Sequence, residues 1–507
     1  MSGRLKKHFF LLVPIVFLVL LYFLTRLSHL TVIPVFCDEA IYIRWAQIMR
    51  TVPSLRFIPL SDGKQPLFMW LVIPFLKVFK DPLVAGRMVS VLSGFGTMLG
   101  IGVLSFILFK KVQISLLAII LYLISPFIFF FDRMALVDGF LSFFGVWCLV
   151  LGVSLAKKIR LDLAMILGII LGLGLITKSP AIFFGLLLPF CLLATNNVTM
   201  KQLNNLVKLA ILYFVVYIFA FTIYNILRLG PEFHMIAIRN KDYIYSFSEI
   251  LKHPFSPLWG NLKSVAEWYW ILLTPLVFIS GIFGIYLLLK KELKIGLFSL
   301  LWWLLPILGQ SAVAKVYTAR YILFTIPVFI IFAAFSLEEI FGKVKRRISL
   351  ISLISFIIFF FPIIQIVLLL FNPQKAWLPK NEREGYLEIW TSGYGIKEAS
   401  VYLKEIAKNQ KVLVGTEGYF GTLPDGLQMY LEGVPNITTI GVGQPIREIS
   451  SKLLDGLKDN RVFLLVNDTR FEVKNTERLN LIAKYPKAKN LKTGTQESLL
   501  FFEVKEK

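Results

Sequence analysis

The chain has 507 residues, of which 57% are hydrophobic and 17% are charged, and its 54 lysines and arginines against 31 acidic residues give a net charge of +23. Soluble domains are about 45–50% apolar and about 25% charged, so this composition excludes a soluble enzyme. Long runs of Leu, Ile, Val and Phe place the chain in a lipid bilayer, and they argue against nucleic acid as the partner of its positive charge.

Apolar runs that approach the roughly 20 residues of a transmembrane helix recur along the first 371 residues. There are eleven, near 9–27, 84–109, 113–131, 137–156, 161–176, 180–195, 207–229, 267–289, 295–311, 320–340 and 348–371. The first run follows Arg4, Lys6 and Lys7 and has no small-residue cleavage site, which favours an uncleaved anchor over a signal peptide.

The segment 66–80 is apolar but short, contains Pro74 and carries Lys77 and Lys80 at its end. If it does not span, the basic loops after alternate spans all lie on the side of the N-terminus, as the positive-inside rule requires. These loops contain Lys110, Lys111, Lys157, Lys158, Arg160, Lys201, Lys290, Lys291, Lys294, Lys343, Lys345, Arg346 and Arg347. We therefore predict an interfacial helix at 66–80 and a multi-pass protein of the plasma membrane with a cytoplasmic N-terminus.

This topology leaves three regions on the outer side, namely the loops 28–82 and 230–266 and the tail 372–507. The tail alternates a helical pattern at 394–409 with short β-type runs at 411–415, 427–431, 436–440 and 461–466, which is typical of a small α/β domain. We predict an α-helical polytopic membrane protein with about 11 transmembrane helices (1–371) and a soluble extracytoplasmic α/β domain (372–507). The three cysteines, Cys37, Cys148 and Cys191, indicate no disulfide framework.

Ionisable side chains gather at the predicted outer ends of the helices, where they oppose the orientation rule and require partners. They are Asp38, Glu39, Lys64, Asp132, Arg133, Asp138, Lys178, Lys315, Arg320 and, beside them, Tyr321. Lys and Arg are suited to a lipid phosphate, and a carboxylate such as Asp38 could take a proton from an attacking hydroxyl. Together they indicate glycosyl transfer from a lipid phosphate, with the cations stabilising the departing charge.

Several of these residues also have simpler interpretations. Lys315 alone is typical of a side chain that reaches the headgroups, and Asp38 fits the N-cap of a helix over 39–49. Tyr42 and Trp45 fit an interfacial aromatic belt. For Asp138 we expect an ion pair with Arg133. Further site candidates lie in the loop 230–266: Glu232, His234, Arg239 and Asp242.

Four stretches resemble motifs of a known class. They are Asp38-Glu39-Ala40 with Tyr42 and Trp45; Lys64-Gln65-Pro66-Leu67 followed by Ala85-Gly86-Arg87; Arg133 with Asp138, followed by Gly172-Leu173-Gly174 and Thr177-Lys178-Ser179-Pro180; and Arg320-Tyr321 with Pro327. In this order they resemble polytopic glycosyltransferases of the GT-C class, in the superfamily of dolichyl-phosphate-mannose protein mannosyltransferases and lipid A aminoarabinose transferases. Gln65 and Ser179 depart from the commoner Pro and Gly, and the resemblance ends near residue 342.

The resemblance implies inverting transfer of a sugar from a polyprenyl-phosphate donor to a hydroxyl acceptor on the outer face of the membrane. It assigns catalysis to Asp38, Glu39 and Asp138, with Asp38 as the base. It assigns the donor phosphate to Lys64, Lys178, Arg320 and Tyr321, and the sugar or acceptor pocket to Tyr42, Asp132 and Arg133. No cofactor follows with certainty, since some members of the wider class hold a divalent metal at the residue equivalent to Asp38 and others do not. The acceptor, whether lipid, glycan or protein, stays open.

The main alternative is a transporter of a lipid-linked or small anionic substrate. Such proteins usually contain paired repeats and place ionisable groups near the bilayer midplane, and this sequence has neither pattern. A membrane scaffold with a ligand-binding tail is a second alternative, but it leaves the charges at the outer helix ends unexplained.

Overall fold

The computed structural model describes residues 3–195, 203–252, 255–344 and 347–506. Three of the predicted cytoplasmic charges, Lys201, Lys345 and Arg346, lie outside these ranges. The chain divides into two compact units. The first contains Met1–Ser28, Arg56–Phe68 and Met88–Leu370, and the second contains His29–Leu55, Met69–Arg87 and Phe371–Lys507. Most of the segment 28–82 therefore clusters with the tail.

Helices make up the chain as far as residue 371. In chain order they are α1 (Gly3–Leu27), α2 (Cys37–Thr51), α3 (Leu67–Val78), α4 (Pro82–Phe109), α5 (Val112–Ile124), α6 (Pro126–Asp132), α7 (Val137–Lys157), α8 (Leu161–Leu175), α9 (Ile182–Leu187), α10 (Leu203–Tyr224), α11 (Met235–Tyr243), α12 (Phe247–Lys252), α13 (Ser256–Leu272), α14 (Pro275–Lys291), α15 (Leu293–Val313), α16 (Ile326–Lys343) and α17 (Ile348–Phe371). Short 3₁₀ turns at Ile58–Asp62, Ser179–Ala181, Leu188–Ala194 and Ala319–Thr325 connect several of them.

Fewer of the described helices are long enough to span a membrane than the eleven that the sequence predicted. Within the described ranges, six helical segments are long and apolar enough to cross a bilayer, or eight if two bent pairs each count as one span. The predicted span 267–289 is wrong as a single helix, because α13 and α14 meet at an angle of 117°. The helix is interrupted between α13 and α14 at Thr274, whose φ is +70°, and at Pro275. The total number of spans stays a prediction.

The helix predicted at 66–80 is the twelve-residue α3. At 1.5 Å per residue it is about 18 Å long, against about 30 Å for the hydrocarbon core. It is therefore too short to span as a straight helix, as the sequence predicted.

The tail contains the predicted α/β domain. Its elements are α18 (Lys380–Arg383), α19 (Ile396–Ala407), β1 (Val412–Thr416), α20 (Asp425–Leu431), β2 (Ile437–Gly441), α21 (Ser451–Gly456), β3 (Arg461–Asn467), β4 (Leu479–Pro486) and β5 (Ser498–Val504). The strand order is β2-β1-β3-β5-β4, with β1 parallel to β2 and β3, and with β5 antiparallel to β3 and β4. The β-type run predicted at 427–431 is wrong, because these residues belong to α20.

Both faces of the sheet are covered. One face packs Leu464, Val466 and Phe502 against Leu453 of α21. On the other face the rings of Phe463 and Phe501 lie 5.5 Å apart. Burial on both sides explains why β3 is an almost unbroken apolar run.

Helix α2 is held by the tail within the second unit. The Cys37 amide donates to the Thr391 carbonyl at 3.0 Å, and the Gly393 amide donates to the Val35 carbonyl at 2.8 Å. Further along α2, the Gln47 side chain donates to a carbonyl of α20 at 2.9 Å. The acidic motif at the start of α2 is therefore supported by residues more than 340 positions later in the chain.

Candidate active site

A cavity of about 310 Å³ in the first unit contains several of the predicted site residues. Its charged lining consists of Lys64, Lys178 and Arg239 against one carboxylate, Asp62. Among the side chains that line the cavity, cations outnumber carboxylates, which favours an anionic ligand. Tyr321 also lines the cavity.

Arg239 and Asp62 form one edge of this cavity. The Nε and Nη2 atoms of Arg239 lie 2.9 and 2.6 Å from Oδ1 of Asp62, and Nη1 lies 2.7 Å from Oδ2 of Asp242. Between Asp62 and Lys64 the chain turns at Gly63, whose φ is +68°. A Cβ at Gly63 would lie 2.7 Å from the Cβ of Arg239, so the close approach requires glycine.

Lys64 and Lys178 are oriented by different partners. The Lys64 ammonium lies 3.1 Å from the Tyr243 hydroxyl. The Lys178 ammonium lies 2.5 Å from Oδ1 of Asp138 and 4.0 Å from the centre of the Tyr321 ring. Both cations thus have fixed positions beside the cavity.

Asp138 holds cations and does not pair as predicted. It is 2% exposed and lies in the first turn of α7, with Lys178 at 2.5 Å and the Arg320 Nε atom at 4.0 Å. The predicted ion pair with Arg133 is wrong, since the guanidinium of Arg133 lies over the Phe129 ring and donates to the Thr25 carbonyl at 3.4 Å. A buried carboxylate that is engaged by two cations is suited to positioning them, and it is a poor candidate for a base.

The loop 230–266 contributes to the cavity through α11 and the residues after it. The Tyr245 amide donates to the Val313 carbonyl, and the Lys315 amide donates to the Tyr243 carbonyl, both at 2.8 Å. Of the four candidates in this loop, Arg239 lines the cavity. Glu232 and His234 are exposed and contact each other at 3.7 Å. The Lys315 ammonium donates to a carbonyl of α11 at 3.2 Å, outside the lining of the cavity.

An apolar groove of about 500 Å³ shares three lining residues with the cationic cavity, namely Ser179, Ile182 and Asn240. The rest of its lining comes mainly from α8, α9 and α10: Leu171, Leu175, Gly185, Leu186, Tyr217, Ala220, Phe221, Tyr224 and Ile236. The first unit therefore places an apolar groove beside a cationic cavity.

Asp132 does not line this cavity, and its assignment to a sugar or acceptor pocket stays a prediction. Its carboxylate is 2% exposed and lies 3.5 Å from the Nε atom of Arg26. The hydroxyls of Tyr22 and Tyr122 lie 3.3 and 3.4 Å from it. These partners compensate the burial of the carboxylate, which is a structural role.

In the second unit, the two neighbouring acids of the first motif have different environments. Glu39 is 0% exposed, and its carboxylate receives Arg87 Nε at 2.8 Å and Nη2 at 2.7 Å. Its Oε2 also accepts the Phe36 amide at 3.0 Å. This bidentate pair occupies both oxygens and fixes the start of α2, which favours a structural role, and the catalytic assignment of Glu39 stays a prediction.

Asp38 lies in the first turn of α2 and is half-buried. The N-cap is Phe36, so the N-cap interpretation of Asp38 is wrong. The positive end of the helix favours the ionised carboxylate at this position. Asp38 therefore remains the candidate base of the motif.

Tyr42 and Trp45 are each 4% exposed, and their rings stack at 6.0 Å. This burial disagrees with an interfacial belt, whose rings face the lipid, and the place of Tyr42 in a sugar or acceptor pocket stays a prediction. No group of three or more His, Cys, Asp or Glu among the described residues is placed to hold a metal ion. We therefore derive no step through a metal.

Sequence reasoning missed Tyr243 and the role of Arg26. Tyr243 had no signal of its own within the loop. Arg26 had one, since it is a cation at the end of an apolar run and therefore requires a buried partner.

The sequence model of the dolichyl-phosphate-mannose-protein mannosyltransferase family matches residues 63–224. Comparison with curated proteins finds no match. Among solved structures, apo ArnT from Cupriavidus metallidurans is similar with a TM-score of 0.61 at 14% identity, covering 98% of each chain. ArnT from the same organism bound to undecaprenyl phosphate gives a TM-score of 0.57 at 12% identity, covering 97% of this chain and 98% of that one. The resemblance predicted from the motifs is confirmed, and the protein has the fold of the GT-C glycosyltransferase superfamily.

Proposed function

We propose that this protein transfers a sugar from a polyprenyl-phosphate donor to a hydroxyl acceptor on the outer face of the membrane, with inversion at the anomeric carbon. The observation that carries the proposal is the cationic cavity that shares lining residues with an apolar groove in the first unit. A polyprenyl phosphate fits both surfaces, because its phosphate is anionic and its isoprenoid chain is apolar. The solved ArnT structure with undecaprenyl phosphate supports the same ligand class.

In this proposal the donor phosphate contacts Lys64, Lys178 and Arg239. The two lysines offer compact charges, and Arg239, whose fork of donors is paired with Asp62 and Asp242, adds positive charge at the edge of the cavity. Arg320 and Tyr321 complete the phosphate site. Tyr321 packs against Lys178, and Arg320 shares the carboxylate of Asp138 with it. The prenyl chain occupies the groove between α8 and α10.

The reaction then needs a base and a stabilised leaving group. The acceptor oxygen forms a bond to the anomeric carbon while the bond from that carbon to the phosphate oxygen breaks. Asp38 takes the hydroxyl proton, and the cations stabilise the phosphate that departs. Asp138 acts as a positioning residue for Lys178 and Arg320.

The donor site can be tested by the binding of undecaprenyl phosphate. The purified protein in phosphatidylcholine nanodiscs is titrated with this lipid, and the bound fraction is read by native mass spectrometry. Loss of one charge-assisted contact costs about 1.5–3 kcal/mol, so Lys64→Gln and Arg239→Gln should each weaken binding about 10–100-fold. The matched control is Lys208→Gln, an exposed lysine of the first unit that does not line the cavity. Wild-type affinity in both cavity variants would remove the cavity from donor binding.

A further inference from the structure

A second polar cavity, of about 440 Å³, lies entirely within the second unit. Parts of α2, α19 and α20 and the chain that follows α3 form its walls. Its cationic side chains are Arg50, Lys80, Lys397 and Lys404, and its carboxylates are Asp81 and Glu432. Four positive and two negative charges leave an excess of two positive charges.

Two of the cations are neutralised and two are not. The Arg50 guanidinium lies 2.7 Å from the Glu432 carboxylate, and the Lys397 ammonium lies 2.6 Å from the Asp81 carboxylate. In the part of the chain that the structure describes, neither Lys80 nor Lys404 has an ion pair. The excess charge therefore belongs to these two lysines.

The paired groups give the cavity a fixed shape. Arg50 also donates to the Leu76 carbonyl at 3.2 Å, so its guanidinium connects α2, α3 and the end of α20. The first turn of α4 is fixed by Asp81, whose side chain accepts the Leu83 amide at 2.9 Å. A fixed cavity with two uncompensated ammonium groups is suited to one phosphate group, whose charge they match.

The setting of the cavity favours a lipid as the source of that phosphate. Leu76 and Phe79 line it next to the charges. Within α3, Leu71 and Val78 are 37% and 73% exposed, which is expected for a helix whose apolar side contacts lipid. Lys80, two residues beyond the end of this short apolar helix, is placed to bring its charge to the depth of phospholipid headgroups.

We propose that this cavity binds the phosphate headgroup of an anionic phospholipid and so attaches the second unit to the membrane surface. None of its lining residues belongs to the cationic cavity of the first unit. The inference therefore stands independently of the proposed transfer reaction.

The test compares lipid retention by two matched double variants. Lys80→Gln/Lys404→Gln removes the two unpaired charges of the cavity. Lys408→Gln/Lys411→Gln removes the same charge from exposed positions of the second unit outside the cavity. Full-length proteins in nanodiscs that contain phosphatidylglycerol and phosphatidylcholine are released and analysed by native mass spectrometry.

Wild type and the control should retain one phosphatidylglycerol per chain in preference to phosphatidylcholine, and the cavity variant should retain at least tenfold less. Lys80→Arg/Lys404→Arg should restore retention, because arginine also binds phosphate. Equal retention by the cavity variant and the control would overturn the proposal. Displacement of the lipid by 10 mM inorganic phosphate, with phosphate itself bound, would also overturn it in favour of a soluble anion.

Discussion

The two units use buried carboxylates in different ways. In the first unit, Asp62 and Asp138 pair with cations that line a cavity, namely Arg239 and Lys178. In the second unit, Arg87 occupies Glu39 completely, and the neighbouring Asp38 is left half-buried at the start of α2. The first unit thus places cations at the wall of a cavity, while the second unit gives two neighbouring acids different environments.

Replacing Asp38 should have the largest effect. Asp38→Asn removes the proposed base, and loss of a general base lowers the rate about 10²–10⁴-fold. We expect turnover of a polyprenyl-phosphate sugar to fall by about this factor while binding of undecaprenyl phosphate stays at the wild-type level. Release of polyprenyl phosphate, followed by mass spectrometry, measures the rate, and wild-type turnover in this variant would exclude Asp38 as the base.

Breaking the buried ion pair between Glu39 and Arg87 should lower the stability of the fold. Arg87→Met leaves the Glu39 carboxylate buried without its cation, which costs at least about 3 kcal/mol. We expect a lower midpoint of thermal unfolding in detergent, with part of the loss recovered in Arg87→Met/Glu39→Gln. Arg160→Met is the control, since the pair of Arg160 with Asp162 is equally short but exposed. Equal effects at the two sites would contradict the structural role of Glu39.

Lys178 has two proposed roles, because it pairs with the buried carboxylate of Asp138 and also lines the cavity that we propose binds the donor phosphate. Lys178→Gln should weaken undecaprenyl phosphate binding about tenfold or more and also lower stability. In Lys178→Gln/Asp138→Asn the buried carboxylate is neutralised, so stability should recover while binding stays weak. Recovery of both properties would show that Lys178 affects the donor only through the fold.

A smaller effect is expected from Asp425 in the tail. Its carboxylate accepts the Gly421 amide at 2.7 Å, and burial raises its pKa to about 6, partly offset by this hydrogen bond and by Arg44. The folded state therefore binds this proton more tightly than the unfolded state, so its contribution to stability is largest at low pH and is lost as the pH rises toward 6.

Between pH 5 and pH 7 the contribution of Asp425 to the free energy of unfolding falls by about 1 kcal/mol. Asp425→Asn should remove this part of the pH dependence, which the difference between the wild-type and variant unfolding midpoints at the two pH values measures. A difference that does not change with pH would mean that the pKa of Asp425 is not raised.

The convergence of Lys64, Lys178 and Tyr321 on one cavity could be predicted from sequence, because their side chains lie at ends of apolar segments that the topology assigned to one face. The roles of Glu39 and Asp138 could not. Their partners, Arg87 and Lys178, lie 48 and 40 positions away, and acid type and spacing do not show which carboxylate a distant cation will occupy.

In the tail, the pattern located β1, β2 and β3 but missed β4 and β5. The half-exposed β4 carries polar and charged residues among its apolar ones, so its period-2 signal is weak. The assignment of 427–431 to a strand was wrong because a short, buried apolar run has the same sequence pattern in a helix and in a strand.

The central claim, sugar transfer from a polyprenyl-phosphate donor, is tested most directly by mass spectrometry of glycans, lipids and proteins from cells that carry either the wild-type gene or Asp38→Asn. The account predicts that one class of surface glycoconjugate lacks a single sugar in the variant and that the corresponding polyprenyl-phosphate sugar accumulates. Identical profiles, with no accumulated donor and the variant protein present in the membrane, would contradict it.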